Sequence, residues 1–547
     1  MMKTAMLLTA SCLLAFAMGC ESRSFEDPPP RDEKLSSKFY PQTIEKEVDI
    51  LFVIDNSGSM KEEQENLRKN FGILIDALKS DKLDGKIPNV HIGVITTDLG
   101  AGTYGAAIDG CQSTGGDRGK LQHEPRIEGC ADPKDPWISY SDGVHNIPDC
   151  DNPDPIECVK DAFKCIADPG LDGCGFEMHL ESARLALDKS NNANPGFLRD
   201  NAFLAVVFIT DEDDCSAADG TLFDPTQKGF SDPLGPLESF RCFEFGIQCD
   251  INDRHTSGPR TNCVPAYDYL HDVNKYIAFF EEIKGGKDRV IMAAIAGPTH
   301  GAPVLPNGKL TQLVEVGNDG QRSFLMPSCS TATGFAVPAL RIGKVVEAFG
   351  GEIHTICTDE DDEGFGPALK ALGEKIVASL GGQCITSPLL VPNGGVACKV
   401  GVGACKMPSC PSDTTCDAAR GVCVDGGGKD TSSFCGDSCL DKADCQLSLI
   451  SGRGTDQERE VQVDKCPVEL FDPRVPKEQC GDSCPCWRIV PHEADCRQEL
   501  NVSPLGFEVM RTDAAAPGTV AVARCRAALF NWYDSEVQDA PFHCGLP

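Results

Sequence analysis

Three stretches of this chain are apolar at every residue rather than at every second one: 50–54 (ILFVI), 203–209 (FLAVVFI) and 290–296 (VIMAAIA). A strand with one wet face alternates, whereas an unbroken apolar run of this length suits a strand buried on both faces. Such strands belong to a parallel sheet with helices packed on each side. The segments between them fit that demand. Residues 60–79 carry Leu67, Phe71, Leu74, Ile75 and Leu78 on one helical face, and 179–189 reads as a short helix. Residues 266–284 repeat the helical spacing with Leu270, Val273, Ile277 and Phe280. Further strands are expected at 89–98 (NVHIGVITTD) and at 352–357 (EIHTIC), and helices at 337–349 and 366–380. The alternation implies an α/β unit whose parallel sheet is covered by helices on both faces.

Two insertions interrupt the alternation, at 100–157 and 212–265. The first is rich in Gly and Pro and contains Cys111, Cys130 and Cys150; the second contains Cys215, Cys242, Cys249 and Cys263. Loops of that length are functional, stapled, or both. After Cys384 the α/β rhythm stops and cysteines crowd the remainder, with CGDSC occurring at 435–439 and again at 480–484. Residues 385–547 read as a smaller, disulfide-stabilised β- and loop-rich region, with zinc binding by the close cysteines as the alternative.

The chain has 30 cysteines in 547 residues, a usage that belongs to an oxidising compartment. The N-terminus, MMKTAMLLTASCLLAFAMGC, places Lys3 before an apolar stretch and small residues before Cys20, the pattern of an export signal over 1–19. AMGC resembles a bacterial lipobox, which implies lipidation at Cys20, a tether over 20–45 and a membrane attachment through the acyl anchor alone. Cys12 would leave with the signal, and 28 cysteines then remain to pair. The expected location is the bacterial cell envelope, at the outer membrane or cell surface. The formal charge of −33 argues against nucleic-acid binding, which needs basic surface.

The first apolar run ends in DNSGSM, so Asp55, Ser57 and Ser59 supply three oxygen donors within five residues. The run at 203–209 is followed by Thr210 and Asp211. In an open parallel sheet, ligands bind beyond the carboxyl ends of the strands at the topological switch point. If these two strands are neighbours, both sets of donors meet there. Carboxylates and hydroxyls suit Mg²⁺ best here, with Ca²⁺ or Mn²⁺ as alternatives, and suit Zn²⁺ or Cu²⁺ poorly.

DNSGSM after a buried strand, with a later strand ending in ITD, resembles the von Willebrand factor type A domain and its metal-ion-dependent adhesion site. The resemblance covers about 46–384 and implies a doubly wound, mostly parallel Rossmann-like α/β sheet there, with a cation held by Asp55, Ser57 and Ser59 from a first loop and Asp211 from a third. The second loop of that family supplies a threonine. Here the stretch is DPGLDGCGFEMHLES, without threonine and with Ser182 well inside the helix, so Glu177 is the best-placed donor. The chain also resembles bacterial lipoproteins in which such a domain precedes a cysteine-rich tail. What these resemblances imply is a metal-dependent, adhesion-type binding protein. An acidic group of a protein or surface-polymer partner would complete the cation's shell.

Two alternatives differ in kind. In one, the cation only stabilises loops and the chain is a structural scaffold. In the other, the site is a metal-dependent hydrolase with Glu177 or Asp213 as base. No catalytic motif favours the second: neither HExxH, nor G-x-S-x-G, nor a phosphate-binding glycine loop occurs. ITDEDDCS (209–216) and CTDEDDE (357–363) read as solvated acidic loops or as flanking cation sites. Asp98 is a candidate outer-shell acceptor, and DCDNPD (149–154) is a weak calcium-loop candidate.

Overall fold

The computed structural model describes residues 33–41, residues 47–381 apart from 80–84, 113–114, 151, 201, 300–311, 319, 333 and 359–363, and separate stretches between 415 and 528. The expected signal, Cys20, most of the tether and Cys384 lie outside the described residues.

A seven-stranded mixed sheet forms the centre. In chain order its strands are β1 (Glu47–Ile54), β2 (Asn89–Thr96), β3 (Ile138–Ser141), β4 (Val144–His145), β5 (Phe203–Ile209), β6 (Val290–Ala296) and β7 (Glu352–Thr355). In space they run β7-β6-β5-β1-β2-β3-β4. The five strands from β7 to β2 are mutually parallel, and β3 and β4 add an antiparallel edge. The chain leaves β1 toward β2, then returns to the other side of β1 to lay down β5. The switch point therefore lies between β1 and β5.

The all-apolar strands serve both faces by alternation. Ile50, Phe52 and Ile54 point to one core with Ala205, Val207 and Ile209. That core is closed by α1 (Lys61–Ala77), α2 (Pro155–Ile166) and α6 (Gly366–Gly381). Leu51 and Val53 point to the other core with Leu204, Val206 and Phe208, under α3 (His179–Leu187), α4 (Val273–Lys284) and α5 (Leu340–Ala348). Phe71 of α1 stacks on Phe163 of α2 with ring centroids 3.5 Å apart, and Phe52 of β1 lies 4.9 Å from Phe163. Each such side chain contributes about 1.5–3 kcal/mol by leaving water.

The helical spacing does not predict α2, whose start lies inside the first insertion. Its signals are nonetheless local: Asp154 caps the Ile156 N–H at 2.9 Å, Pro155 opens the helix, and Val159, Phe163 and Ile166 face inward. The same cap places Asp154 of DCDNPD at a helix start. α4 begins at Val273 rather than 266, with Asp272 as its cap. Before it, Val264–Pro265 pairs with Ile247–Gln248, and Ala217 bridges to Leu270.

Disulfides staple both insertions, and only the first is tied to the scaffold by them. Cys111, Cys130 and Cys150 pair with Cys174, Cys165 and Cys158, while Cys215–Cys242 and Cys249–Cys263 close the second insertion on itself. Ala101 of the first insertion and Leu222 and Phe223 of the second share a small core with Phe176 and Leu270.

A second sheet is built mainly from the cysteine-rich region, in the order 33–41, 520–528, 445–451, 459–465, 486–491 and 505–510. Trp487, Ile489 and Phe507 centre its core, and Cys445 pairs in register with Cys525, to which it is also bonded. Part of the expected tether is thus a strand: Glu33–Pro41 pairs antiparallel with 520–528 along its length. Backbone hydrogen bonding recruits it, and nearly every residue type offers that bond, so its polar sequence gave no warning.

Candidate functional site

Asp55 follows β1 directly and Asp211 follows β5 after one residue, Thr210, so the switch point brings them together. The backbone closes the gap first: the Asp55 N–H donates to the Ile209 carbonyl at 3.0 Å. Thr210 Oγ1 then donates to Asp55 Oδ2 at 2.8 Å, and the Ser57 N–H donates to Asp55 Oδ1 at 2.8 Å. The second bond is the side-chain-to-backbone turn that Asp favours after a strand. Ser57 Oγ and Ser59 Oγ lie 3.0 Å apart. Gln64 of α1 reaches back, donating to the carbonyls of Asp55 (3.1 Å) and Gly170 (3.0 Å). The loop is therefore held from β5, from α1 and from the segment before α3.

That last segment carries Glu177, and it is pinned at both sides. The Met178 N–H donates to the Thr97 carbonyl at 3.0 Å, and the Cys215 N–H donates to the Glu177 carbonyl at 2.7 Å. The Gly173 N–H donates to the Asn56 carbonyl at 2.9 Å. Asp55, Ser57, Asp211 and Glu177 are all buried, while Ser59 is exposed.

The electrostatics follow from packing acids together in little water. Desolvation, then the charges of Asp55 and Glu212, push the Asp211 carboxyl up to about 8, against a hydrogen bond from Ser59. Desolvation and the Asp55 charge push Glu212 up to about 7. Glu177 is driven upward by burial, then by Glu212 and Asp55. Among the described residues, no ion pair offsets Asp55, Asp211 or Glu177. Asp211 Oδ1 is buried without a hydrogen-bond partner.

Buried acids that resist ionising without a counter-charge, one with an unpaired oxygen and two hydroxyls beside them, are a donor set that suits a hard divalent cation. Among the described residues, no three His, Cys, Asp or Glu side chains group closely enough to hold a metal ion. Asp55 and Asp211, with the hydroxyls of Ser57 and Ser59, are therefore the residues that could hold one. Glu177 lies near enough to feel their charges but does not make a third close carboxylate.

The neighbouring acids have other work. Asp213 accepts the N–H groups of Arg341 and Ile342 at the start of α5 (2.9 and 3.2 Å). Asp214 accepts from Leu180 N–H at the start of α3 (2.9 Å) and pairs with Arg341 at 3.1 Å, both side chains fully buried. At these two positions the acids of ITDEDD cap helices across the fold, Asp214 fully buried and Asp213 half-buried. Asp98 turns into its own loop and accepts from the Gly100 N–H at 2.7 Å. Residues 359–363 of the second acidic run lie outside the described residues. Sequence reasoning missed Thr210 and Gln64 as holders of Asp55. Thr210 stands in the quoted ITD; nothing local marks Gln64.

No family model matches this chain, and no curated protein does. Among solved structures, it is similar at 10% identity to the conserved hypothetical protein BatB from Bacteroides thetaiotaomicron. That match covers 60% of this chain and 98% of the other, at TM-score 0.24. The pilus adhesin SpaC from Lactobacillus rhamnosus GG matches at 10% identity over 92% of this chain and 44% of its own, at TM-score 0.27. The minor pilin PilB from Streptococcus sanguinis, as its D319A mutant, matches at 11% identity over 61% and 62%, at TM-score 0.25. The chain thus spans under two thirds of both pilus proteins, and overlap this slight carries neither fold nor function.

Proposed function

We propose that this chain is an exported, divalent-cation-dependent binding protein of the cell envelope, with a von Willebrand factor type A domain as its working part. One observation carries the reading. The Asp55-Ser57-Ser59 loop and Asp211 lie side by side at the sheet's switch point, with Asp55 locked to Ile209 and Thr210. The spatial order of the parallel strands and the helices on both faces agree with it.

On this reading, Asp55, Asp211 and the two hydroxyls hold Mg²⁺, Ca²⁺ or Mn²⁺. The cation supplies a Lewis-acidic position for an oxygen donor. Two neutral hydroxyls in the set leave positive charge for an acidic group of a protein or surface polymer. The exposed Ser59 marks the side from which a partner reaches the site. Lipidation at Cys20 would keep the protein at the membrane.

Burial favours a second reading, in which the cation only braces loops. Asp55 and Glu177 are almost without solvent contact, so little of the site is offered to a partner. The hydrolase reading loses one of its bases, since backbone N–H groups occupy both oxygens of Asp213.

The test uses residues 21–547. Calorimetric titration with Mg²⁺ is expected to show binding that Asp55→Ala abolishes. Retention of a surface-extract protein is expected to need both Mg²⁺ and Asp55. Cation binding without cation-dependent retention selects the scaffold, and no cation binding overturns both.

A further inference from the structure

The residue after β2 and the first turn of α3 carry three polar side chains that the candidate site does not use. Thr97, His179 and Ser182 are each fully buried. Thr97 Oγ1, both ring nitrogens of His179 and Ser182 Oγ have no hydrogen-bond partner among the protein's own atoms. They are close in the fold: His179 and Ser182 lie one turn apart, and Met178 bonds to the Thr97 carbonyl at 3.0 Å. The Glu177 backbone, whose carbonyl accepts the Cys215 N–H at 2.7 Å, also pulls on the His179 ring, but outside the geometry of a well-formed hydrogen bond.

Leaving four such atoms unpaired in an interior is costly, and proteins meet that demand with ordered internal water where polar groups converge. The place matters for function. His179 lies within electrostatic reach of both Asp55 and Asp214. The helix that carries it is capped from the 209–216 loop, where Ser216 Oγ accepts from Glu181 N–H at 3.0 Å and donates to Asp214 at 2.6 Å.

We infer that Thr97, His179 and Ser182 enclose an internal water site, and that His179 acts through it as a positioning residue for the Asp55 loop. The inference rests on the cation-site reading above. The apolar surroundings of α3 alone would be served equally well by a phenylalanine; the ring nitrogens are what a water network needs. The role is that of an outer-shell group which orients a ligand it does not replace.

The experiment compares Mg²⁺ affinity, by calorimetry, for the 21–547 protein and for His179→Phe, His179→Gln, Thr97→Val and Ser182→Ala. Melting in chelator measures the fold separately. His179→Phe is expected to weaken Mg²⁺ binding by about 10–100-fold, with His179→Gln restoring most of it and the hydroxyl deletions giving smaller losses in the same direction. A crystal structure is expected to show ordered water among the three side chains. Unchanged Mg²⁺ affinity in His179→Phe and in both hydroxyl deletions overturns the inference and leaves the cation site standing; so does a dry, tightly packed interior at this place. Absence of Mg²⁺ binding by the unsubstituted protein overturns the cation reading and this role with it. If His179→Phe does not fold, the Thr97→Val and Ser182→Ala affinities decide.

Discussion

Thr210 Oγ1 donates a hydrogen bond to Asp55 Oδ2 at 2.8 Å across 155 residues of sequence. It also accepts from the Glu212 N–H at 3.1 Å. One hydroxyl therefore fixes the rotamer of the first acid and the turn that presents the second. Thr210→Val keeps the shape but leaves a buried carboxylate oxygen short of a donor. The expected cost is about 1–3 kcal/mol, read as a lower urea midpoint, together with weaker Mg²⁺ binding.

The Asp214–Arg341 pair is fully buried, and Arg341 also donates to the carbonyls of Ala266 (2.9 Å) and His271 (2.6 Å). Arg341→Met strands the Asp214 charge, and about 3–5 kcal/mol should be lost. Asp213→Ala removes only a helix cap, worth about 0.5–2 kcal/mol. Denaturant titrations of the two variants are expected to rank them in that order.

Lys284 is buried at the opposite end of the sheet, donating to the Arg199 carbonyl at 2.8 Å. Burial brings its ammonium down from the usual 10.5 to about 8, against the attraction of Asp49. Its pKa is thus lower in the folded than in the unfolded chain, so the unfolded chain binds more protons between those values. This group's contribution to stability is complete above 10.5 and is lost as pH falls through about 8. Lys284→Met should flatten the rise of the urea midpoint across that window.

Cys111–Cys174 ties the first insertion to the segment between Gly173, which bonds to Asn56, and the buried Glu177. The double variant Cys111→Ala/Cys174→Ala should lose about 2–5 kcal/mol. Freed from that staple, the segment should also lower Mg²⁺ affinity. Melting with and without Mg²⁺ measures both effects.

Much of the fold was legible in single segments. The all-apolar runs announced strands buried on two faces, and they are the central parallel strands β1, β5 and β6. The helical spacing of Leu67, Phe71, Leu74 and Ile75 became the buried stripe of α1. Asp154 and Pro155 announced a helix that the surrounding loop chemistry concealed. These signals are local: they depend on which side chains recur at the period of the element that buries them.

What the chain segments could not reveal is which distant groups meet. The neighbours of β1 are chosen by packing two apolar faces at once, and only that choice puts Ile209, Thr210 and Asp211 beside Asp55. The acids of 211–214 look alike in sequence, yet the fold leaves Asp211 with an unpaired oxygen, sets Asp213 on the start of α5 and pairs Asp214 with Arg341. Residues 33–41 became a strand of the second sheet through backbone bonds that no side-chain pattern encodes. The sequence by itself determined the elements and the donor-rich loop after β1, because period and turn chemistry are properties of short segments. The tertiary structure decided which acids remain uncompensated, because burial and hydrogen-bond partners are properties of the packed whole.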